Sequence, residues 1–177
     1  MKMLDLLPIG DLDARLLQSL APALANSFRI PCRIRDARLD PQFAFHPERG
    51  QHHSSEILQA MQRYANEGAW RVLGVTSVDL YIPILTFVFG EAQMGGPCAV
   101  VSYHRLMQQF YGLPPDPNLL VERLVKESVH EVGHTFDLTH CRDYSCAMAP
   151  SHAVEWIDLK ETSLCGDCEA RALELVE

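Results

Sequence analysis

Two histidines four residues apart on a segment with an apolar stripe constrain this chain more than any other feature. They stand in His130-Glu131-Val132-Gly133-His134. Leu120, Leu124, Val125, Val129, Val132 and Phe136 mark one helical face, so a helix is predicted from Pro117 to about Phe136. Asp116 can cap its start and Pro117 suits its first turn. Residues four apart project from one side of a helix, so both imidazoles can reach one metal ion. Glu131 stands beside them, placed to take a proton from a zinc-activated water. The bland alternative is a pair of surface histidines on an amphipathic helix, and the next residues weigh against it.

His140 follows six residues after His134. On a continued helix it would be rotated by about 600° and point away from the metal. The helix must therefore stop near residue 137 and turn back if His140 is to complete the site. Asp137 is a rival third ligand, since it shares the face of His130 and His134. Along one helix it would sit about 10 Å above His130, too far for one zinc to gather all three. His140 is the preferred ligand.

Cys141, Cys146, Cys165 and Cys168 form two close pairs, C-x4-C and C-x2-C. That pairing suits a closed structural zinc site better than ordinary buried thiols or a disulfide framework. Four thiolate ligands leave no open position for catalysis. Met148 lies between the two pairs. A lone Met is often core filler, but its place after the third histidine gives it another meaning.

The elongated pattern His130-Glu131-x-x-His134-x-x-Asp137-x-x-His140 resembles the metzincin motif, with Asp137 where that motif has Gly. Gly serves there because the turn needs a left-handed backbone, which Asp adopts at a cost of about 1–2 kcal/mol. Together with the cysteine pairs and Met148, the motifs from Val129 to Cys168 are similar to those of the archaemetzincins, a family of zinc metallopeptidases. The resemblance implies an α+β fold: a twisted mixed sheet with a backing helix and an active-site helix, above a small zinc-stabilised C-terminal subdomain. It implies one metallopeptidase domain over 1–177, with an upper subdomain of about 1–140 and a lower one of about 141–177. It implies two Zn2+ ions. His130, His134 and His140 would bind the catalytic one, with Glu131 as base. Cys141, Cys146, Cys165 and Cys168 would bind the structural one, and Met148 would be the Met-turn residue. The expected partner is a peptide or protein substrate. A zinc-stabilised scaffold with little activity is the rival reading, and the intact Glu131 argues against it.

Composition narrows the field further. A chain of 177 residues, nearly half of them apolar, suits one domain with a sizeable core. The net charge of -8 argues against a nucleic-acid-binding zinc ribbon built on the cysteines. The apolar run at the N-terminus is short and interrupted by acids, unlike a secretory signal, and no run is long enough to span a membrane. A cytoplasmic protein is expected.

Elsewhere helices are predicted over residues 11–27 and 54–66, with a loop over 36–53 and a helical tail from Glu169 to Val176. Strands are predicted around Phe28 to Ile34, Trp70 to Val75, Tyr81 to Phe89 and Cys98 to Tyr103. Pro83 suggests a sheet edge. Cys32 and Cys98 read as buried apolar residues. His46, His52, His53, His104 and His152 have no metal spacing to the motif, and His52-His53 reads as a solvated pair. Tyr103, Tyr111 and Tyr144 are undifferentiated candidates for stabilising an oxyanion. Any exposed edge near Leu85 to Glu91 could pair with an extended peptide.

Overall fold

The computed structural model describes residues 1–177. In chain order the elements are β1 (Leu4–Ile9), α1 (Ala14–Phe28), β2 (Cys32–Ile34), β3 (Phe45–His46), β4 (Gln51–His53), α2 (Ser54–Asn66), β5 (Arg71–Thr76), β6 (Leu80–Tyr81), β7 (Gly90–Ala92), β8 (Cys98–Ser102), α3 (Pro117–Thr135), α4 (Val154–Leu159) and α5 (Gly166–Glu174). The main sheet has the order β2-β1-β5-β8-β7. Its first four strands run parallel, and β7 pairs antiparallel with β8 at one edge. β3, β4 and β6 form a small second sheet.

Alternation along the strands divides the core between the two faces of the main sheet. Leu4, Leu6, Leu73, Val75, Ala99 and Val101 join α1 and α3 in the larger cluster. Leu7, Ile9, Val72, Cys98 and Val100 join α2 in the smaller one. A mixed sheet between helical layers is the α+β arrangement that the sequence implies. No helix is long and apolar enough to cross a membrane.

Several elements differ from the sequence reading. The N-terminal apolar run is β1, a central strand with every residue buried. A parallel strand covered on both faces shows no alternation, so its pattern carries no strand signal. The strand expected from Phe28 is shorter, because α1 continues to Phe28 and ends at Arg29 in a left-handed conformation, φ 53°. Burial favours the helical choice: Phe28 stacks on Phe136 with ring centroids 4.8 Å apart. The strand expected over Tyr81 to Phe89 is broken. After β6 the chain turns at Pro83, where Leu85 N–H donates to Ile82 O. Pro83 has no N–H to give a ladder. The expected loop over 36–53 holds the β3–β4 hairpin, and α4 is an unforeseen short helix.

Candidate metal centre and active site

α3 begins as its sequence predicts, with the Asp116 side chain accepting from Leu119 N–H at 3.0 Å. It ends just past His134. Asp137 takes φ 62°, Asp137 N–H donates to His134 O, and Leu138 N–H reaches back to Gly133 O at 3.1 Å. A left-handed residue closing a helix in this way reverses the chain. The reversal brings His140 to the two helical histidines: its ring centroid lies 5.2 Å from that of His130 and 5.1 Å from that of His134. A ligand atom from each of the three histidines lies within 4.8 Å of the others. Asp137 supplies the turn.

Hydrogen bonding settles what these imidazoles offer. His130 Nδ1 meets Ala147 O at 2.8 Å and His134 Nδ1 meets Leu138 O at 2.7 Å. A carbonyl only accepts, so each Nδ1 carries the proton and each Nε2 keeps its lone pair. The two Nε2 atoms face one another at 3.1 Å. Burial pushes the titration of all three histidines below the usual imidazole range. The facing lone pairs of His130 and His134, with His140 close by, fit a cation between them, and the two Nδ1–carbonyl bonds are the orienting contacts that metal-bound histidines commonly have.

Glu131 is buried beside this point. Burial pushes its carboxyl well above the usual range, and the neighbouring Glu127 adds to the rise. Gly90 at the edge of β7 makes room for it: a Cβ there would lie 2.7 Å from Glu131 Cγ and 2.5 Å from Val100 O. Glu127, one turn earlier on α3, is matched by Lys160, whose Nζ stands 3.1 Å from Glu127 Oε1. Lys160 Nζ also donates to Ala147 O and Ala149 O, at 3.1 and 2.9 Å. Ala147 O thus serves both His130 and Lys160. Neither Glu127 nor Lys160 has a spacing that marks it in the sequence, because they meet only in the folded chain. Met148 is fully buried below α3, and a Cβ at Gly133 would come within 2.4 Å of its Sδ.

Leu85 to Gly90 form one wall of a cleft of about 400 Å³. Glu127, His130, Glu131 and His140 stand within it, and Pro150 to His152 line it too. None of the three candidate tyrosines lines it. Tyr103 OH is near Asp13 N–H, Tyr111 OH donates to Arg105 O, and Tyr144 is exposed near Trp156.

The four cysteines of the C-terminal segment also converge, with Sγ atoms within 4.8 Å of one another. Backbone N–H groups of Asp143, Met148 and Cys165 point at the Cys141 and Cys146 sulfurs at 3.3–3.4 Å. Four soft donors with supporting amide hydrogen bonds fit a closed zinc site.

Histidines arranged in this way on this fold, with a buried carboxylate and an open cleft, define the class of zinc metallopeptidases. The model of peptidase family M54 matches residues 50–174, and the chain belongs to that family, the archaemetzincins. It is 38% identical to the archaemetzincin of Methanocaldococcus jannaschii over 161 residues, which span 91% of this chain and 87% of that protein. With the Methanopyrus kandleri archaemetzincin it shares 44% identity over 128 residues, 72% of this chain and 69% of the relative. Among solved structures, that of Archaeoglobus fulgidus archaemetzincin complexed with malonate matches at 32% identity and a TM-score of 0.83. The match covers 96% of this chain and 99% of the other. A zinc-dependent peptidase from Methanocorpusculum labreanum matches at 28% identity and a TM-score of 0.86, with the same coverage of both chains.

Proposed function

We propose that the chain hydrolyses peptide bonds of a peptide or protein substrate, with Glu131 as general base and His130, His134 and His140 as the catalytic zinc ligands. A second, structural zinc is assigned to Cys141, Cys146, Cys165 and Cys168, and Met148 to the Met-turn. In this reading residues of about 1–140 form the upper part of the domain and about 141–177 the lower. The carrying observation is the pair of Nε2 lone pairs facing each other at 3.1 Å beside the buried Glu131. Zinc, when bound, supplies Lewis acidity that polarises a carbonyl and acidifies water.

The chain's own residues supply the rest. The Leu85 to Gly90 wall positions an extended peptide across the cleft. Glu131 accepts the proton of the attacking water as the new C–O bond forms. It then gives that proton to the amine nitrogen as the C–N bond breaks. The same carboxylate acts in both directions. Ala147 O and Leu138 O hold the two helical imidazoles in the ligating tautomer throughout.

Glu131→Ala tests the assignment. Zinc content and melting temperature should stay near those of the parent, while hydrolysis of a peptide library falls by about 10²–10⁴-fold. Loss of the metal with the side chain would make Glu131 a ligand, and full activity would remove it from the mechanism.

A further inference from the structure

Three donor side chains outside the active site meet at the start of α2. His46 comes from β3, His53 from the end of β4, and Glu56 from the first turn of α2. His46 Nε2 lies 3.3 Å from Glu56 Oε2, and His53 Nδ1 lies 3.4 Å from Glu56 Oε1. One ligand atom from each of the three lies within 4.8 Å of the others. All three residues are part-buried.

We propose that His46, His53 and Glu56 form a third divalent-metal site that takes Zn2+.

Two observations carry the assignment. The first is spacing. An N–H···O hydrogen bond is usually about 2.9–3.0 Å long. Donors held about 2.0–2.1 Å from a tetrahedral zinc stand about 3.4 Å apart. Both nitrogen–oxygen separations match the second figure. Each histidine faces a different oxygen of the one carboxylate, so Glu56 would turn both oxygens toward a cation between the two imidazoles.

The second is the place of His53. It is the N-cap of α2, a position where a side chain normally accepts a backbone N–H, and it makes no cap hydrogen bond. Its ring turns instead to Glu56 and lies stacked on Tyr81, centroids 5.2 Å apart at 22°. His46 meets the same Tyr81 edge-on at 5.6 Å. Tyr81 thus fixes both rings from behind and leaves their nitrogens facing the carboxylate. His52 lies between them in sequence but stacks with Phe45 instead, with ring centroids 5.1 Å apart. Arg49 has other partners. Its guanidinium lies over Tyr81 at 3.9 Å and donates to Leu85 O and Thr86 O.

Imidazole and carboxylate together favour zinc over magnesium or calcium, which prefer oxygen alone. Three protein ligands leave room for water. Bound zinc would tie the β3–β4 hairpin to α2, beside the Tyr81–Arg49 contact that holds the Leu85–Thr86 wall of the cleft.

The experiment is a zinc chloride titration of the full chain, already loaded at its tight sites and dialysed, followed by calorimetry and by melting temperature. The parent should take up one further equivalent and melt higher with it. His46→Ala and His53→Ala should each abolish that uptake and its stabilisation, leaving the tightly held metal unchanged. Glu56→Gln keeps size and polarity and should weaken uptake at least as much as the about 10–100-fold that loss of a supporting group costs. A parent that takes up no further zinc overturns the proposal. So does a further equivalent that persists with undiminished affinity in Glu56→Gln and in the histidine variants. Counting the tightly held metal separately keeps this result distinct from any error in the catalytic or cysteine assignments.

Discussion

Two single residues set the geometry of the active site. Asp137 holds the left-handed conformation, φ 62°, that the sequence predicts from the need to bring His140 back. Its Cβ opposes that conformation, so Asp137→Gly relieves up to about 1–2 kcal/mol, offset in part by the greater freedom of Gly in the unfolded chain. The expected outcome is a melting temperature near the parent's and full zinc content. Asp137→Val should melt much lower and lose the active-site zinc, since a β-branched residue strongly resists positive φ. Gly90 has a role that only the folded chain reveals. Gly90→Ala forces β7 away from Val100 O and disturbs Glu131, an overpacking that costs about 1–3 kcal/mol. Hydrolysis should fall while zinc is retained, and comparing metal content with turnover of one peptide checks this. The histidine motif was legible because its spacing is local and its chemistry depends on that spacing. Gly90, Glu127 and Lys160 were not, because each acts across the fold.

At the scale of elements, the Glu127–Lys160 pair joins α3 to the segment from Ala147 to Lys160. Both side chains are almost fully buried, 4% and 1% exposed. Burial pushes the Glu127 carboxyl upward, and the Lys160 charge opposes that rise. Lys160→Met leaves a buried carboxylate without its partner, a loss of about 3–5 kcal/mol. Glu127→Leu in the same chain should restore much of the stability, because a buried pair replaced by apolar groups is often nearly neutral. Urea denaturation of the single and double variants decides this, and equal destabilisation in both would remove the pair's role. Element prediction succeeded where one face is wet. α2 shows its apolar stripe at Ile57, Leu58, Met61 and Tyr64, and its boundaries are those read from the sequence. It failed for β1, where burial of both faces erases the period. It failed again after Tyr81, where β-favouring residues serve a turn and a cleft wall.

For the molecule as a whole, the two donor sets differ in openness, and so should their metals. His140 is exposed and the histidine site opens on the cleft, whereas Cys146 and Cys168 are buried. From protein dialysed free of weakly held metal, a chelator should remove the histidine-site metal first and the cysteine-site metal later, and metal counting over time would show two steps. Loss of the second should loosen residues from Cys141 to Cys168, seen as new protease cuts there. The two remaining cysteines should stay silent. Burial, with the Asp5 charge beside it, pushes the Cys32 thiol up to about 12, and burial pushes Cys98 up to about 11. At pH 8 both remain thiols, so iodoacetamide should spare them in the folded protein and mark them only after denaturation. The order of the chain carries a further consequence. All the ligands assigned to the catalytic and cysteine sites lie between His130 and Cys168, after every strand of the sheet. During synthesis, β1, β5 and β8 leave the ribosome before the first of these ligands. α1 covers part of the sheet's larger apolar face and the rest waits for α3, which also carries the first histidines assigned to metal. Covering the rest of that face and acquiring metal are therefore neighbouring events, and a nascent chain arrested before α3 would present to chaperones the part of the sheet that α1 leaves open.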